Sequence, residues 1–432
     1  MFKKITTAIL SLCLVGSLAA CKDTGKENAG DTGKGKVYYL NFKPEADQAW
    51  QALAKEYTEK TGVEVKVVTA ASGDYETTLN AQMGKSGQPT IFNCGNPMSV
   101  VDWADYTLDL TGTKLAGELT TTDYNLYDKD GKLKAIGYCY ETFGIIVNNK
   151  LLKQAGYELS DITDFQSLKT ISEDIHRRAK ELGFDAFTSS GLDGSSSWRF
   201  SGHLMNMPLF YEFRDRKIVE QPSALTGAYL NNFRKIWDLY IQNSATIPTD
   251  QVSATGDDAK ADFHSEKAVF WQQGSWEYAG LKDAGITDVA MIPIYCGVTG
   301  EEKAGLCSGT ENCWAINAKA SQADIDASLE FLYWVVTSES GTKMLSEQFG
   351  AVPFKQAAKV ENVFSNQAKE LFDKGHYTVT WAFNYTPNVD NWRAGIVTAL
   401  NAYTVSPTDA NWQKVADAAI AGWTIEYNTQ NG

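Results

Sequence analysis

The chain has 432 residues, 43% hydrophobic and 21% charged, the make-up of an ordinary folded chain long enough for two or three domains. Its formal net charge of −14 argues against nucleic acid and against a basic membrane-surface patch.

The first residues predict export. Lys3-Lys4 is a basic start, and Ile5 to Leu18 is an apolar run too short to span a bilayer. It ends Leu18-Ala19-Ala20-Cys21, which resembles the bacterial lipobox. Residues 1–20 therefore read as a lipoprotein signal peptide, and Cys21 as the lipidated first residue of a mature chain of charge about −16. Lys22 to Lys36 is rich in Gly, Lys, Asp, Thr and Asn, so residues 21–35 are expected to be a disordered tether. The expected location is the extracellular face of the cell membrane, held there by acyl chains.

Val37 to Leu40 is short, apolar and aromatic, as a buried strand is. From Ala46, Trp50, Leu53, Ala54 and Tyr57 share one helical face, and Gly62 stops the helix. Val63 to Val68 alternates as a half-buried strand. Strand, loop, helix and strand make one βαβ unit. Ligands bind beyond the carboxyl ends of such strands, so Asn41, Lys43, Glu45 and Asp47 line a candidate ligand loop, with an ordinary surface connection as the alternative. Tyr75 to Lys85 is predicted helical and Thr90 to Phe92 a strand. The strand ends in the turn Asn93-Cys94-Gly95-Asn96-Pro97, which makes Asn93 and Asn96 a second candidate wall. Val100 to Tyr106 restarts a helix, and Asp128 to Lys132 is a hairpin turn.

Tyr138 to Lys150 reads as one extended run with a single carboxylate, Glu141, long enough to pass between domains. Residues 160 to 285 are mainly helical, with amphipathic stretches at Ser167–Leu182 and Leu225–Gln242. Ala268 to Trp271 and Val289 to Pro293 are strands, Gly305 to Asn317 is extended, and Asp324 to Val336 is a helix capped near Ser321. Trp392–Tyr403 and Asn411–Tyr427 complete the chain as helices. Cys94, Cys139, Cys296, Cys307 and Cys313 are too sparse for a disulfide framework and are expected to be buried thiols, a Cys307–Cys313 bridge being the less favoured alternative. The four histidines show no metal spacing, and no catalytic motif is present; no metal or cofactor is expected.

Several stretches in order resemble the extracellular solute-binding proteins of carbohydrate ABC importers, the family 1 group related to maltose-binding protein. They are the lipobox, the opening βαβ unit, Glu141 to Leu152, Gln273-Gly274-Ser275-Trp276, Ala315-Ile316-Asn317-Ala318 with the helix after it, and Phe349-Gly350-Ala351-Val352-Pro353. The resemblance implies an α/β fold of periplasmic-binding-protein type II, with two discontinuous lobes joined by a hinge. Lobe one would be 36–140 plus 314–365 and lobe two 145–308 plus 370–425. It implies a monomer that captures an oligosaccharide, first of all an α-gluco- or malto-oligosaccharide, and passes it to the permease subunits of an ABC importer. The rivals are a secreted glycoside hydrolase and a surface lipoprotein without transport.

Sugar binding needs aromatic platforms and planar polar groups. The resemblance places stacking aromatics at Trp276 and Trp392 and a cleft carboxylate at Glu141. Trp198 follows Gly194-Ser195-Ser196-Ser197, too polar for a core, so it is either exposed or a platform. Arg199 is read as a partner of vicinal hydroxyls or of a surface carboxylate. Trp50, by its spacing, is core.

Overall fold

The computed structural model describes residues 33–71, 73–189 and 191–432. The signal segment, Cys21 and the tether up to residue 32 lie outside the described residues. The last tether residues are seated: Lys34 Nζ donates to the Thr61 carbonyl at 3.0 Å, and the Lys36 amide to Asp324 at 2.8 Å.

The strands, in chain order, are β1 (Lys36–Asn41), β2 (Glu64–Thr69), β3 (Ile91–Asn93), β4 (Leu126–Tyr127), β5 (Leu133–Gly137), β6 (Glu141–Asn148), β7 (Asp185–Phe187), β8 (Ala268–Gly274), β9 (Val289–Ile292), β10 (Ala304–Gly309), β11 (Cys313–Ile316) and β12 (Tyr377–Thr380). They form two sheets. The first runs β2-β1-β3-β11-β5-β4, and the second β12-β10-β6-β8-β7 with β9 also on β6. β1 and β2 are parallel from Lys36↔Glu64 to Asn41↔Thr69, joined by the helix Asp47–Thr61. That helix buries Trp50, Leu53, Ala54 and Tyr57, and ends at Gly62 with φ 73°, a conformation glycine adopts without a Cβ penalty. β6 is buried along its whole length: β8 pairs on one edge, β10 and β9 share the other, and its faces meet two cores, Phe143, Ile145 and Val147 in one and Ile146 in the other.

Two runs that read as single extended segments are each divided. Tyr138 to Lys150 leaves the first sheet at Gly137 and enters the second at Glu141; Gly305 to Asn317 leaves the second at Gly309 and enters the first at Cys313. The two passes run side by side. Gly309 pairs with Glu141, Cys313 pairs with Gly137, and the Tyr138 amide donates to the Asn312 carbonyl at 2.9 Å. Tyr140 also pairs with Ala351, which brings the chain beyond Phe349 into the same waist.

Each sheet has its own core. Tyr39, Trp50, Trp314, Phe331 and Phe349 fill the first, with Tyr138 stacked on Trp314 at 4.2 Å. Phe143, Phe233, Trp237, Trp392 and Trp423 belong to the second. The helix Val363–Asp373 packs Phe364 against Ile146, Trp271 and Leu306 of the second sheet, so residues 363–365, expected in lobe one, pack with the other half.

Two helices depart from the sequence reading for local reasons, and a third lies within the stretch read as mainly helical without a period to mark it. The helix expected from Val100 starts at Pro97, because Asn96 caps it. The helix expected from Leu225 starts at Leu230, because the buried Glu212 carboxylate accepts the Thr226 and Gly227 amides and holds that stretch in a loop. The helix Asn206–Arg216 buries every residue from Asn206 to Phe213, so it carries no amphipathic period to read. All five cysteines beyond Cys21 are free and buried.

Candidate functional site

The site is built from the loop after β1 inward. Asn41 is fully buried. Its Nδ2 donates to the Lys43 carbonyl (2.7 Å) and to Thr69 Oγ1 (3.0 Å), and its Oδ1 accepts the Lys43 amide (3.1 Å). This closes the loop on itself and turns Lys43 toward the waist. Lys43 Nζ lies 2.9 and 3.0 Å from the two oxygens of Glu141, and 3.3 Å from Glu45. Asn312 Nδ2 donates to the same Glu141 carboxylate at 2.6 Å. Burial alone would lower the pKa of Lys43; the Glu141 and Glu45 carboxylates outweigh it and raise the pKa above the usual lysine value.

The opposite wall is aromatic and comes from the second half. Trp276 follows β8, and its ring centre lies 5.1 Å from Lys43 Nζ, within cation–π range. A Cβ on Gly274 would stand 2.2 Å from the Trp276 ring, so only glycine at 274 lets the indole fold back. Trp276 Nε1 donates to Gln273 (3.0 Å), Gln273 donates to Glu277 (3.2 Å), and Lys260 pairs with Glu277 (3.0 Å), which fixes the plane of the ring.

Trp198 sits 6.1 Å from Trp276, just before a π-helical turn, Arg199–Leu204. Such turns are uncommon and collect at functional sites. This one lays His203 flat on Phe143 at 4.2 Å, with Trp198 edge-on at 4.8 Å and Trp381 at 5.9 Å. Burial, then Arg393, Arg199 and Lys43, push the His203 pKa well below its ordinary value, so the ring is neutral at physiological pH. Arg199 stacks its guanidinium on Trp198 at 4.4 Å, and Arg393 lies 5.6 Å from Phe383. Among the described residues, these are the two arginines without a carboxylate ion pair.

The fold therefore brings Lys43, Glu45, Glu141, Trp198, Arg199 and Trp276 to one place. Five expected site residues are used otherwise. Asn41 organises its own loop. Asp47 accepts from Thr69 and Gln51 at the start of its helix. Asn93 ties β3 to the second crossing, donating to the Glu311 carbonyl and accepting the Cys313 amide, each at 2.9 Å. Asn96 spends its carbonyl oxygen on the Ser99 amide, capping Pro97–Asp102. Trp392 is core: Nε1 donates to the Ala419 carbonyl at 3.0 Å, and the ring meets Trp423 edge-on.

Trp392 shares the inner face of Val389–Val405 with Ile396, Leu400 and Tyr403, so the next residue, a third of a turn round, faces elsewhere. That residue is Arg393. His203, Trp381, Asn312 and Arg393 were not singled out from the sequence. The nearest signals were the polar loop before Arg393 and the position of Asn312 just ahead of a crossover. Glu76, at the start of Tyr75–Met83, joins the same neighbourhood: burial, then Asp390, Asp102 and Glu311, raise its pKa to about 7.

Residues 52–373 match the family described as bacterial extracellular solute-binding proteins. The chain belongs to that family. Among curated proteins, none matches the sequence. Solved structures share the fold at low identity. RafE in complex with raffinose has a TM-score of 0.72 at 14% identity, covering 91% of this chain and 99% of that one. The GacH receptor of Streptomyces glaucescens, solved unliganded and with acarbose, has a TM-score of 0.66 at 19% identity, covering 91% and 99%. A sugar transporter protein of Bacillus licheniformis in complex with stachyose has a TM-score of 0.67 at 14% identity, covering 90% and 99%.

The family members are solute receptors, and the two-sheet α/β architecture with a crossed waist is the type II binding-protein fold. Among the described residues, no helix is long and apolar enough to cross a membrane, and no group of three or more His, Cys, Asp or Glu side chains is placed to hold a metal ion.

Proposed function

We propose that this solute-binding protein captures an oligosaccharide between two lobes and delivers it to the permease of an ABC importer, with Cys21 as its lipid anchor. Lobe one is 36–140 plus 314–362, and lobe two is 145–308 plus 363–425. The observation that carries the reading is the aromatic wall of Trp276 and Trp198 facing Lys43 and Glu141. Flat apolar rings beside charged hydrogen-bonding groups suit a sugar's CH faces and hydroxyls. The raffinose, acarbose and stachyose named for the solved relatives support the sugar class. An α-gluco- or malto-oligosaccharide is the first candidate. Closure on the ligand is the hinge motion such lobes allow, and the permease reads the closed form.

Titration calorimetry of the mature chain against malto-, galacto-, xylo- and manno-oligosaccharides tests this. Saturable binding of at least one series, with the sugar recovered intact by chromatography, is expected. Cleavage products would replace the reading with a glycoside hydrolase. No binding across the panel would replace the sugar with another solute.

A further inference from the structure

The second half encloses a chamber that shares only Arg199 with the cleft residues described above. It lies where β7 and β8 meet the helices Leu230–Gln242 and Gly256–His264, with about 20 Å3 of room for the centre of a water-sized sphere. Ser189, Tyr240 and Gln272 line it at 3%, 5% and 4% exposure, and Arg199 closes one side. The Arg199 guanidinium is seated tightly there: a Cβ on Gly256 would stand 2.9 Å from its Nη1.

Five buried polar atoms of residues that line it have no hydrogen-bond partner among the described residues. They are Ser189 Oγ, the Tyr240 phenol oxygen, both ends of the Gln272 amide, and Arg199 Nε. A buried donor or acceptor left unmade costs its full desolvation, and five in one place would offset a large part of a protein's marginal stability. The group that satisfies them must both donate and accept. Arg199 Nε and Gln272 Nε2 need an acceptor, whereas Gln272 Oε1 needs a donor. A halide only accepts and would leave Oε1 unpaired. A metal or ammonium cation would meet the guanidinium. A hydroxyl-type oxygen does both, and the room matches about one.

We propose that this chamber is a binding site for a single neutral hydroxyl-type oxygen, bridging Gln272, Tyr240 and Arg199. The oxygen is that of a solvent water or of a hydroxyl on the bound solute; the second source alone rests on the sugar reading above. Arg199 is the element the two sites have in common: it lines the chamber and has its Nε unpartnered, while its guanidinium stacks on Trp198.

Crystal structures of the mature chain, grown without sugar and with maltotriose, decide the matter. Density for one oxygen within hydrogen-bond distance of the Gln272 amide and the Tyr240 hydroxyl in both crystals is expected, and marks water. Density only in the second, continuous with the sugar, also supports the site and marks the solute's hydroxyl. If maltotriose does not bind, the solute arm falls away, and an empty chamber in the sugar-free crystal overturns the proposal. No density in the chamber of the sugar-free crystal, and none in that of a sugar-bound one, would overturn the proposal.

Tyr240→Phe gives an independent reading of sign. With a guest present, the variant removes a satisfied hydroxyl, and the melting temperature falls by about 1–2 °C. An unchanged or raised melting temperature means that the hydroxyl was an orphan, and counts against the site.

Discussion

Lys43 and Glu141 are 98 positions apart in sequence, yet Lys43 Nζ stands within 3.0 Å of Glu141, with both side chains under a tenth exposed. The lysine comes from the loop after β1, and the glutamate is the first residue of β6, where the chain enters the second sheet. One ion pair thus joins the loop after β1 to the waist. Removing Glu141 leaves the buried Lys43 ammonium with only the more exposed Glu45 carboxylate at 3.3 Å, a poorer partner. Glu141→Gln is expected to lower stability by about 3 kcal/mol in urea denaturation. Combining it with Lys43→Met should restore most of that loss. If the double variant is no more stable than Glu141→Gln alone, Lys43 is not the group that suffers.

Trp276 and Trp392 were both expected to stack on sugar, but Trp276 stands beside Lys43 whereas Trp392 is buried against Trp423. Trp276→Ala should weaken oligosaccharide binding by roughly 1–3 kcal/mol, read by calorimetry, with the fold retained. Trp392→Ala should cost about 3–5 kcal/mol of stability by leaving a cavity against the C-terminal helix. Its folded fraction should bind with the parent affinity.

Glu76 gives the stability curve a predictable slope. Its pKa is raised from 4.5 to about 7, first by burial and then by Asp390, Asp102 and Glu311. The folded chain therefore holds a proton there that the unfolded chain has released. The contribution is fully present below about pH 4.5 and is lost as the pH rises through about 7. The loss amounts to at most roughly 3 kcal/mol. Melting temperatures of the parent and Glu76→Gln across that window should converge at the acid end, with the variant flatter. Parallel curves would remove Glu76 as the cause.

Gly202 makes room for Arg393. A Cβ at 202 would stand 2.8 Å from Arg393 Nη2, the movable end of a long side chain. Gly202→Ala is therefore expected to displace the guanidinium at little structural cost, and even to stabilise the turn by about 0.5–1 kcal/mol. Oligosaccharide affinity should fall by roughly 1–2 kcal/mol if Arg393 bonds the solute. Unchanged affinity by calorimetry would take Arg393 out of the site.

What the sequence determined is what periodicity and local stereochemistry can carry. The stripe Trp50, Leu53, Ala54 and Tyr57 announced a buried helical face, and Gly62 its end. Gly274-Ser275-Trp276 marked an aromatic residue that the family resemblance places at a helix start, although only the fold shows that Gly274 leaves the indole room to turn back over its own strand. The lone carboxylate of Glu141 in an apolar run demanded a partner, although nothing local said that the partner was Lys43. The tertiary structure alone decided which polar residues face the cleft. Asn41, Asn93 and Asn96 have the chemistry of sugar ligands, yet each already bonds a backbone group, two of them a chain neighbour's. Trp392 and Arg393 differ by a third of a helical turn, and the packing of the C-terminal helix takes the aromatic residue into the core and leaves the cation against Gly202 and Phe383. A sequence records which residues can bond; whether a bond is still free for a solute depends on distant segments that arrive beside them only when the chain is folded.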